Sequence, residues 1–167
     1  MKQLVHWVVY AAFFVSLGVF SVRPRLHLMA DDEAIVSISF SHAAQRVGEC
    51  RQLSQEELMA LPPNMRKPED CPRERHALQI MLVMDDLTLY QATLPPTGLW
   101  ADGKSTVYQR IRVSAGTHDF AIRMNDSGTS GSFDFENLST ISLLPGENLV
   151  VYFDADSQQF KFHQVSQ

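Results

Sequence analysis

Residues 107–124, VYQRIRVSAGTHDFAIRM, decide the fold class of this chain. Apolar and polar side chains alternate along Val107–Ser114 and again along Thr117–Met124, and alternation with a period of two is typical of a β-strand. Ala115 and Gly116 lie between the two runs, where a turn is expected. The pattern therefore predicts a β-hairpin.

The apolar side chains set the register of this hairpin. If Val113 faces His118, the apolar residues lie on one face, and Arg112 lies opposite Asp119 on the other face. A slip of one residue would set Ile111 against Asp119 and mix the two faces. We therefore predict a strand pair with one face packed against a core.

Further runs of the same kind continue the pattern along the chain. They are Ala34–Phe40, Ala77–Met84, Leu87–Thr93, Leu138–Leu144, Leu149–Asp154 and Gln159–Val165. The second of these is apolar on both faces, which predicts a central strand. Asp85-Asp86 follows it as a tight turn and would place Leu82 opposite Leu89.

Short strands at near-regular spacing, with no long helical period between them, predict an all-β domain. We expect an antiparallel β-sandwich of about 7–8 strands, with an eight-stranded barrel as the alternative. The turn sequences VSAGTH (113–118) and LLPGENL (143–149) resemble those of exported β-sandwich modules. These turns specify hairpins, and we expect the sandwich to be of the immunoglobulin-like or transthyretin-like kind.

An apolar run precedes these strands. Leu4–Val22, LVHWVVYAAFFVSLGVFSV, contains no acidic residue, Lys or Arg. It can just span a hydrocarbon core, which needs about 20 residues. A cleaved signal peptide is the alternative, but neither VFS (19–21) nor LMA (28–30) matches a cleavage site of small residues. We predict an uncleaved signal anchor.

The anchor divides the chain into a tail (1–3), a transmembrane helix (4–22), a juxtamembrane linker (23–33) and the β-sandwich (34–167). Lys2 on one side of the helix nearly balances Arg23 and Arg25 on the other, so the positive-inside rule does not decide the orientation. A short tail before the helix favours export of the following domain. We expect a single-pass protein of the inner membrane, with its domain on the periplasmic (extracytoplasmic) side.

Composition excludes one class of partner. The 167 residues carry a net charge of −5, and the pI is about 5.6. Such a chain has no basic field for nucleic acid. The lipid bilayer and a membrane or envelope protein are the partners that we expect.

Cys50 and Cys71 are the two cysteines, and an exported pair normally forms a disulfide. Such a bridge would stabilise the fold by about 3 kcal/mol in the chain-entropy model. The Pro-rich segment between them contains one short helix candidate, Ser54–Leu61, whose Ser54 and Glu57 form a capping box.

A metal site is an alternative use of these cysteines. His42, Cys50, Cys71 and His76 flank the Pro-rich segment, and two Cys with two His suit Zn²⁺ or Cu⁺. An exported domain with this site would handle copper or assist the assembly of a respiratory complex. A disulfide would occupy both sulfur atoms, so the two interpretations compete.

Two further features are candidates for binding. The segment Met65–Arg75 carries Arg66, Lys67, Arg73 and Arg75, which form either a solvated loop or a docking surface for a partner.

Trp100 lies among turn-forming residues in Leu94–Thr106. We expect its side chain to close one end of the core, with a platform for carbohydrate or a small ligand as the alternative.

Sequence motifs of common enzymes are absent. The chain has no G-x-S-x-G, no phosphate-binding glycine loop and no C-x-x-C. We therefore expect a non-enzymatic accessory or interaction subunit of a membrane or envelope assembly, with no cofactor. Metal handling and ligand binding remain the alternatives.

Overall fold

The computed structural model describes residues 2–22 and 30–165. These residues form two units, divided between Ala30 and Asp31. Residues 23–29, which make up most of the predicted linker and include Arg23 and Arg25, lie outside the described residues, as do Met1 and residues 166–167.

The first unit contains helix α1, Lys2–Val22. It begins two residues before the predicted segment and ends at the predicted residue. Its 21 residues give a length of about 30 Å, similar to a hydrocarbon core. None of them is buried, and Ser16 Oγ donates to the Phe13 carbonyl oxygen within the helix. Helix α1 is long and apolar enough to cross a membrane.

The second unit is mostly β. Its elements are β1 (Glu33–His42), β2 (Arg51–Gln52), α2 (Gln55–Ala60), a 3₁₀ turn (Pro63–Met65), β3 (Glu69–Asp70), β4 (Leu78–Met84), β5 (Leu87–Leu94), β6 (Ser105–Ser114), β7 (Gly116–Asn125), β8 (Phe135–Leu143), β9 (Asn148–Asp154) and β10 (Gln159–Val165). Strands β2 and β3 were not predicted from the sequence. Each has only two residues, which is too short to show a period.

Two four-stranded sheets build this unit, in the orders β10-β9-β1-β6 and β5-β4-β7-β8. Apolar side chains from both sheets form one core. The strand pairs are antiparallel, as predicted, with one exception. Strands β1 and β9 run parallel, with Val36 beside Leu149.

The predicted hairpin of residues 107–124 is wrong. Strand β6 pairs with β1, and Val113 faces Ala34. Strand β7 pairs with β4 and β8 in the other sheet, and Asp119 faces Thr140 rather than Arg112. The chain therefore passes between the sheets at Ala115 and Gly116, and the φ of +140° at Gly116 permits this turn.

Strand β4 is central in its sheet, as predicted. The turn after it is also confirmed, because Asp85 and Asp86 both have positive φ, at 47° and 67°. The predicted pairing of Leu82 with Leu89 is wrong. The register shifts between Leu82 and Val83, so that Leu82 faces Tyr90 and Leu89 is the extra residue of a bulge.

Strand β1 lies in the middle of its sheet, and residues 34–38 are buried on both faces. Val36, Ile38 and Phe40 enter the core, as predicted. Ile35 and Ser37 on the other face are also buried, because β1 has neighbours on both sides. Ser37 Oγ donates to Asn148 Oδ1 at 2.8 Å.

Candidate interaction surface

The loops at one end of the β-domain form a continuous surface. The end of β1 and the start of β6 lie there, because these two strands pair antiparallel. The start of β4 and the end of β5 lie there for the same reason. We call the part built by residues 46–76 and 97–103 the loop surface. It contains most of the binding residues that the sequence predicted.

A disulfide closes the base of the loop surface. Cys50 and Cys71 are bonded, as predicted, and β2 and β3 lie directly inside the bridge. Leu53 N donates to the Pro68 carbonyl oxygen at 2.9 Å, and Gln52 Nε2 donates to Glu69 Oε1 at 2.7 Å. None of residues 51–70 is buried. The bridge and the short ladder therefore hold a segment that has no core of its own.

Helix α2 lies within this segment and starts as predicted. Ser54 is its N-cap, and the capping box with Glu57 is complete. Arg51 Nη1 donates to Glu57 Oε1 at 2.7 Å. This bond from Arg51, together with the bond from the Ser54 backbone N–H, lowers the pKa of Glu57 from 4.5 to about 2. The helix start is therefore tied to strand β2.

Backbone hydrogen bonds pair the two stretches that flank the disulfide segment. Val47 N donates to the Glu74 carbonyl oxygen at 2.8 Å, and His76 N donates to the Gln45 carbonyl oxygen at 2.9 Å. Arg46 and Arg75 form an isolated β-bridge between these two stretches. The guanidinium groups of Arg46 and Arg75 are therefore carried on fixed backbone.

A cleft of about 580 Å³ lies in the loop surface. Its lining contains four cationic side chains, three carboxylates, a proline and one half of the disulfide: Arg46, Lys67, Arg73, Arg75, Glu69, Asp70, Asp102, Pro68 and Cys71. Lys67, Arg73 and Arg75 were predicted as part of an interaction loop, and the structure brings these three together. Arg66 does not line the cleft. Its Nε donates to the Leu61 carbonyl oxygen at 2.9 Å, at the end of α2.

Arg75 is the best-fixed cation of the cleft. Its Nη1 donates to the Ala44 carbonyl oxygen at 2.7 Å, and its Nε donates to the Asp102 carbonyl oxygen at 3.0 Å. Its backbone N–H donates to the Ala101 carbonyl oxygen at 2.9 Å. Arg75 therefore joins the disulfide segment to the turn of residues 97–103.

Trp100 is on the surface of this turn, so the expectation that it closes the core is wrong. Its side chain is 65% exposed and that of Leu99 is 92% exposed. Phenylalanines occupy the end of the core instead, with the rings of Phe153 and Phe160 at 5.1 Å and those of Phe135 and Phe153 at 5.1 Å. The turn is nevertheless closed, because Gly103 N donates to the Thr97 carbonyl oxygen at 2.8 Å.

The four residues of the predicted metal site are not brought together. His42 Nε2 is 2.8 Å from Asp126 Oδ2, and its ring packs on Phe153 at 4.9 Å. The ring of His76 lies against Gly128. Among the described residues, Cys50, Glu69 and Cys71 place three ligand atoms within 4.8 Å of one another. Neither histidine belongs to that group, and its two sulfur atoms are bonded to each other.

Two parts of the loop surface were not predicted from the sequence. Arg46 and Asp102 line the cleft, yet one precedes the first cysteine and the other lies far along the chain. The charged run of residues 65–75 was a usable signal for the position of the cleft. No sequence pattern indicates that residue 102 lies beside it.

Asp85, Ser114 and His118 lie together at the other end of the domain, in an arrangement that the sequence did not reveal. His118 Nδ1 is 2.5 Å from Asp85 Oδ2. Its Nε2 is 3.1 Å from the Ser114 carbonyl oxygen and 3.4 Å from Ser114 Oγ. A carboxylate and a carbonyl oxygen only accept, so both contacts are hydrogen bonds only in the imidazolium form, whereas in the neutral ring Nδ1 donates to Asp85 and Nε2 accepts from Ser114 Oγ. We interpret the trio as a link between the β4–β5 turn and the β6–β7 connection.

Comparison with known protein families finds no model that matches this chain, and comparison with curated proteins finds no relative.

Proposed function

We propose that this chain is a non-enzymatic single-pass membrane protein whose β-domain is an interaction module of a membrane or envelope assembly. The composition of the loop surface carries the proposal. It exposes Leu99 and Trp100, together with Met59 and Met65 at 62% and 61% exposure, beside the arginines of the cleft. Aromatic residues, Met and Arg are the side chains enriched in protein–protein interfaces.

We place the protein in the inner membrane, with the β-domain on the periplasmic side. Helix α1 supports an anchor, because it has no Asp, Glu, Lys or Arg after Lys2 and none of its residues is buried. The bond between Cys50 and Cys71 supports an oxidising compartment. An anchor confines the domain to the membrane plane and so raises its effective concentration near membrane partners.

We also propose that the sandwich is of the transthyretin-like rather than the immunoglobulin-like kind. Immunoglobulin domains place their first two strands in one sheet. Here the first two long strands, β1 and β4, lie in different sheets. The presence of four strands in each sheet supports the same assignment.

Site-specific photo-crosslinking in intact cells tests the proposed function. A photoreactive phenylalanine analogue replaces Trp100 in the full-length chain. The matched control carries the analogue at Tyr108, which is similarly exposed at 68% but lies on β6, outside the loop surface. We expect a discrete adduct with one membrane or envelope protein from position 100 and none from position 108.

Equal adducts from both positions, or no adduct from position 100, would contradict an interaction role for the loop surface. A shift of the Trp100 fluorescence by mono- or oligosaccharides, saturable and lost in Trp100→Ala, would favour the ligand-binding alternative.

A further inference from the structure

Among the residues that the structure describes, no carboxylate oxygen lies within 4.0 Å of a charged nitrogen of the cleft cations. Among the described residues, the ion pairs closer than 4.0 Å involve other side chains, and none of them contains Arg46, Lys67, Arg73 or Arg75. Elsewhere among the described residues, Arg51, Arg123 and Lys161 form ion pairs, with Glu57, Glu136 and Asp154. The cleft therefore holds cationic groups that are not in direct ion pairs, beside three carboxylates that also line it.

Neutral carbonyl oxygens hold two of these guanidinium groups in place. Arg75 bonds the carbonyl oxygens of Ala44 and Asp102, and Arg46 Nη1 donates to the Pro72 carbonyl oxygen at 3.0 Å. A guanidinium group has five N–H donors, so these bonds fix its orientation and leave donors for a ligand. Fixed guanidinium groups that are not in ion pairs are well suited to bind carboxylates.

Apolar side chains adjoin the same charges. The turn of residues 97–103 carries Leu99 and Trp100 at its tip, and its Ala101 and Asp102 carbonyl oxygens accept bonds from Arg75. Trp100 is exposed and lies two residues before Asp102, which lines the cleft. This arrangement combines a charged pocket with an apolar anchor, as in the centres of protein interfaces.

The carboxylates of the cleft limit the kind of anion that it can bind. Glu69, Asp70 and Asp102 line it together with the four cations. A continuous polyanion, such as a nucleic acid backbone or an anionic bilayer, would bring negative charge against these three groups. A polypeptide can place single carboxylates on the arginines and apolar side chains on Trp100. The charge pattern thus favours a protein segment.

We propose that the cleft and the Leu99–Trp100 tip bind an acidic, partly apolar segment of a protein partner. This inference rests on the proposed function and specifies the chemistry of the partner. Carboxylates of the segment would contact Arg73 and Arg75, and an apolar side chain would pack against Trp100.

Peptide binding to the full-length protein in detergent micelles tests this chemistry. The probe is a fluorescent peptide of alternating Glu and Leu, and the readout is anisotropy. We expect saturable binding that Arg73→Glu weakens by about tenfold or more, because the new carboxylate repels the Glu side chains of the peptide.

Arg110→Glu is the matched control, since Arg110 is also exposed and lies on β6. We expect it to change the affinity by less than about twofold. Trp100→Ala should also weaken binding, and a peptide with Lys in place of Glu should not bind.

Equal effects of Arg73→Glu and Arg110→Glu, or equal binding of the Lys peptide, would overturn the proposal. Arg73-dependent binding of vesicles that contain anionic lipid, without binding of the Glu peptide, would assign the cleft to a membrane and overturn it as well. If a partner crosslinks at position 100 with the same yield in the Arg73→Glu variant, the proposal of an acidic partner segment is refuted. The proposed function as an interaction module would still hold. If the peptide binds but no partner crosslinks, the proposed function is refuted. The claim that the cleft binds an acidic, partly apolar peptide would still hold.

Discussion

Gly103 keeps the turn that carries Leu99 and Trp100 closed. A Cβ at this position would lie 2.3 Å from Thr97 Oγ1 and 2.7 Å from the Thr97 carbonyl oxygen. The second contact is with backbone, so a rotamer change cannot relieve it. The hydrogen bond from Gly103 N to Thr97 O depends on this close approach.

We therefore predict that Gly103→Ala opens the turn and displaces Trp100. The expected cost is about 1–3 kcal/mol of unfolding free energy, measured by thermal unfolding, and crosslinking from position 100 should fall. The control is Lys104→Ala, which removes an exposed side chain from the next residue. An unchanged Tm in Gly103→Ala would show that the turn tolerates the extra carbon atom.

Single residues also mark the limit of what the sequence could predict. The pairing of Cys50 with Cys71 was predictable, because two cysteines in an exported chain can form only one intramolecular disulfide. The exposure of Trp100 was not, because several phenylalanines distant in the chain compete to fill the end of the core. Only the fold decides which aromatic ring enters it.

At the scale of the element, hydrogen bonds at its first turn stabilise α2, because the helix buries no side chain. It has six residues, none of them buried, and an isolated helix of this length is not stable in water. Its first turn is held by Ser54 and by the bond between Arg51 and Glu57. The charge on Glu57 is therefore needed for the helix start.

We predict that α2 loosens as the pH falls from about 5 to about 2. The folded-state pKa of Glu57 is about 2, below its ordinary 4.5, so its stabilising contribution is complete above 4.5 and is lost as the pH falls through the folded value. The measurement is amide hydrogen exchange at Glu57 N, which donates to Ser54 Oγ. Glu57→Gln keeps the capping box but lacks the titrating group, so its exchange should not change in this range beyond the intrinsic pH effect. The same pH dependence in both proteins would refute this role of Glu57.

Strands β6 and β7 show why element positions were predictable and their pairing was not. Both strands occur close to the predicted bounds, because alternation depends on one buried face. The same one-sided pattern arises when two strands lie in one sheet and when they face each other from two sheets. In the second case Val113 and Phe120 enter one core from opposite sides, and local sequence cannot distinguish the two arrangements.

At the scale of the whole molecule, an apolar helix precedes a domain whose loop surface is held by a disulfide. The bridge should contribute about 3 kcal/mol by restricting the unfolded chain, and residues 51–70 have no buried side chain that would replace it. A stable bridge needs an oxidising compartment, which for the proposed membrane protein means export of the β-domain. Export is therefore the central claim.

The redox state of Cys50 and Cys71 in intact cells tests this claim most directly. Cells are treated with a membrane-permeant alkylating reagent, and the mass of the full-length protein is measured with and without prior reduction. The account predicts no alkylation before reduction and two alkylated cysteines after it. Two cysteines alkylated without reduction would contradict both the export of the domain and the disulfide that holds the loop surface.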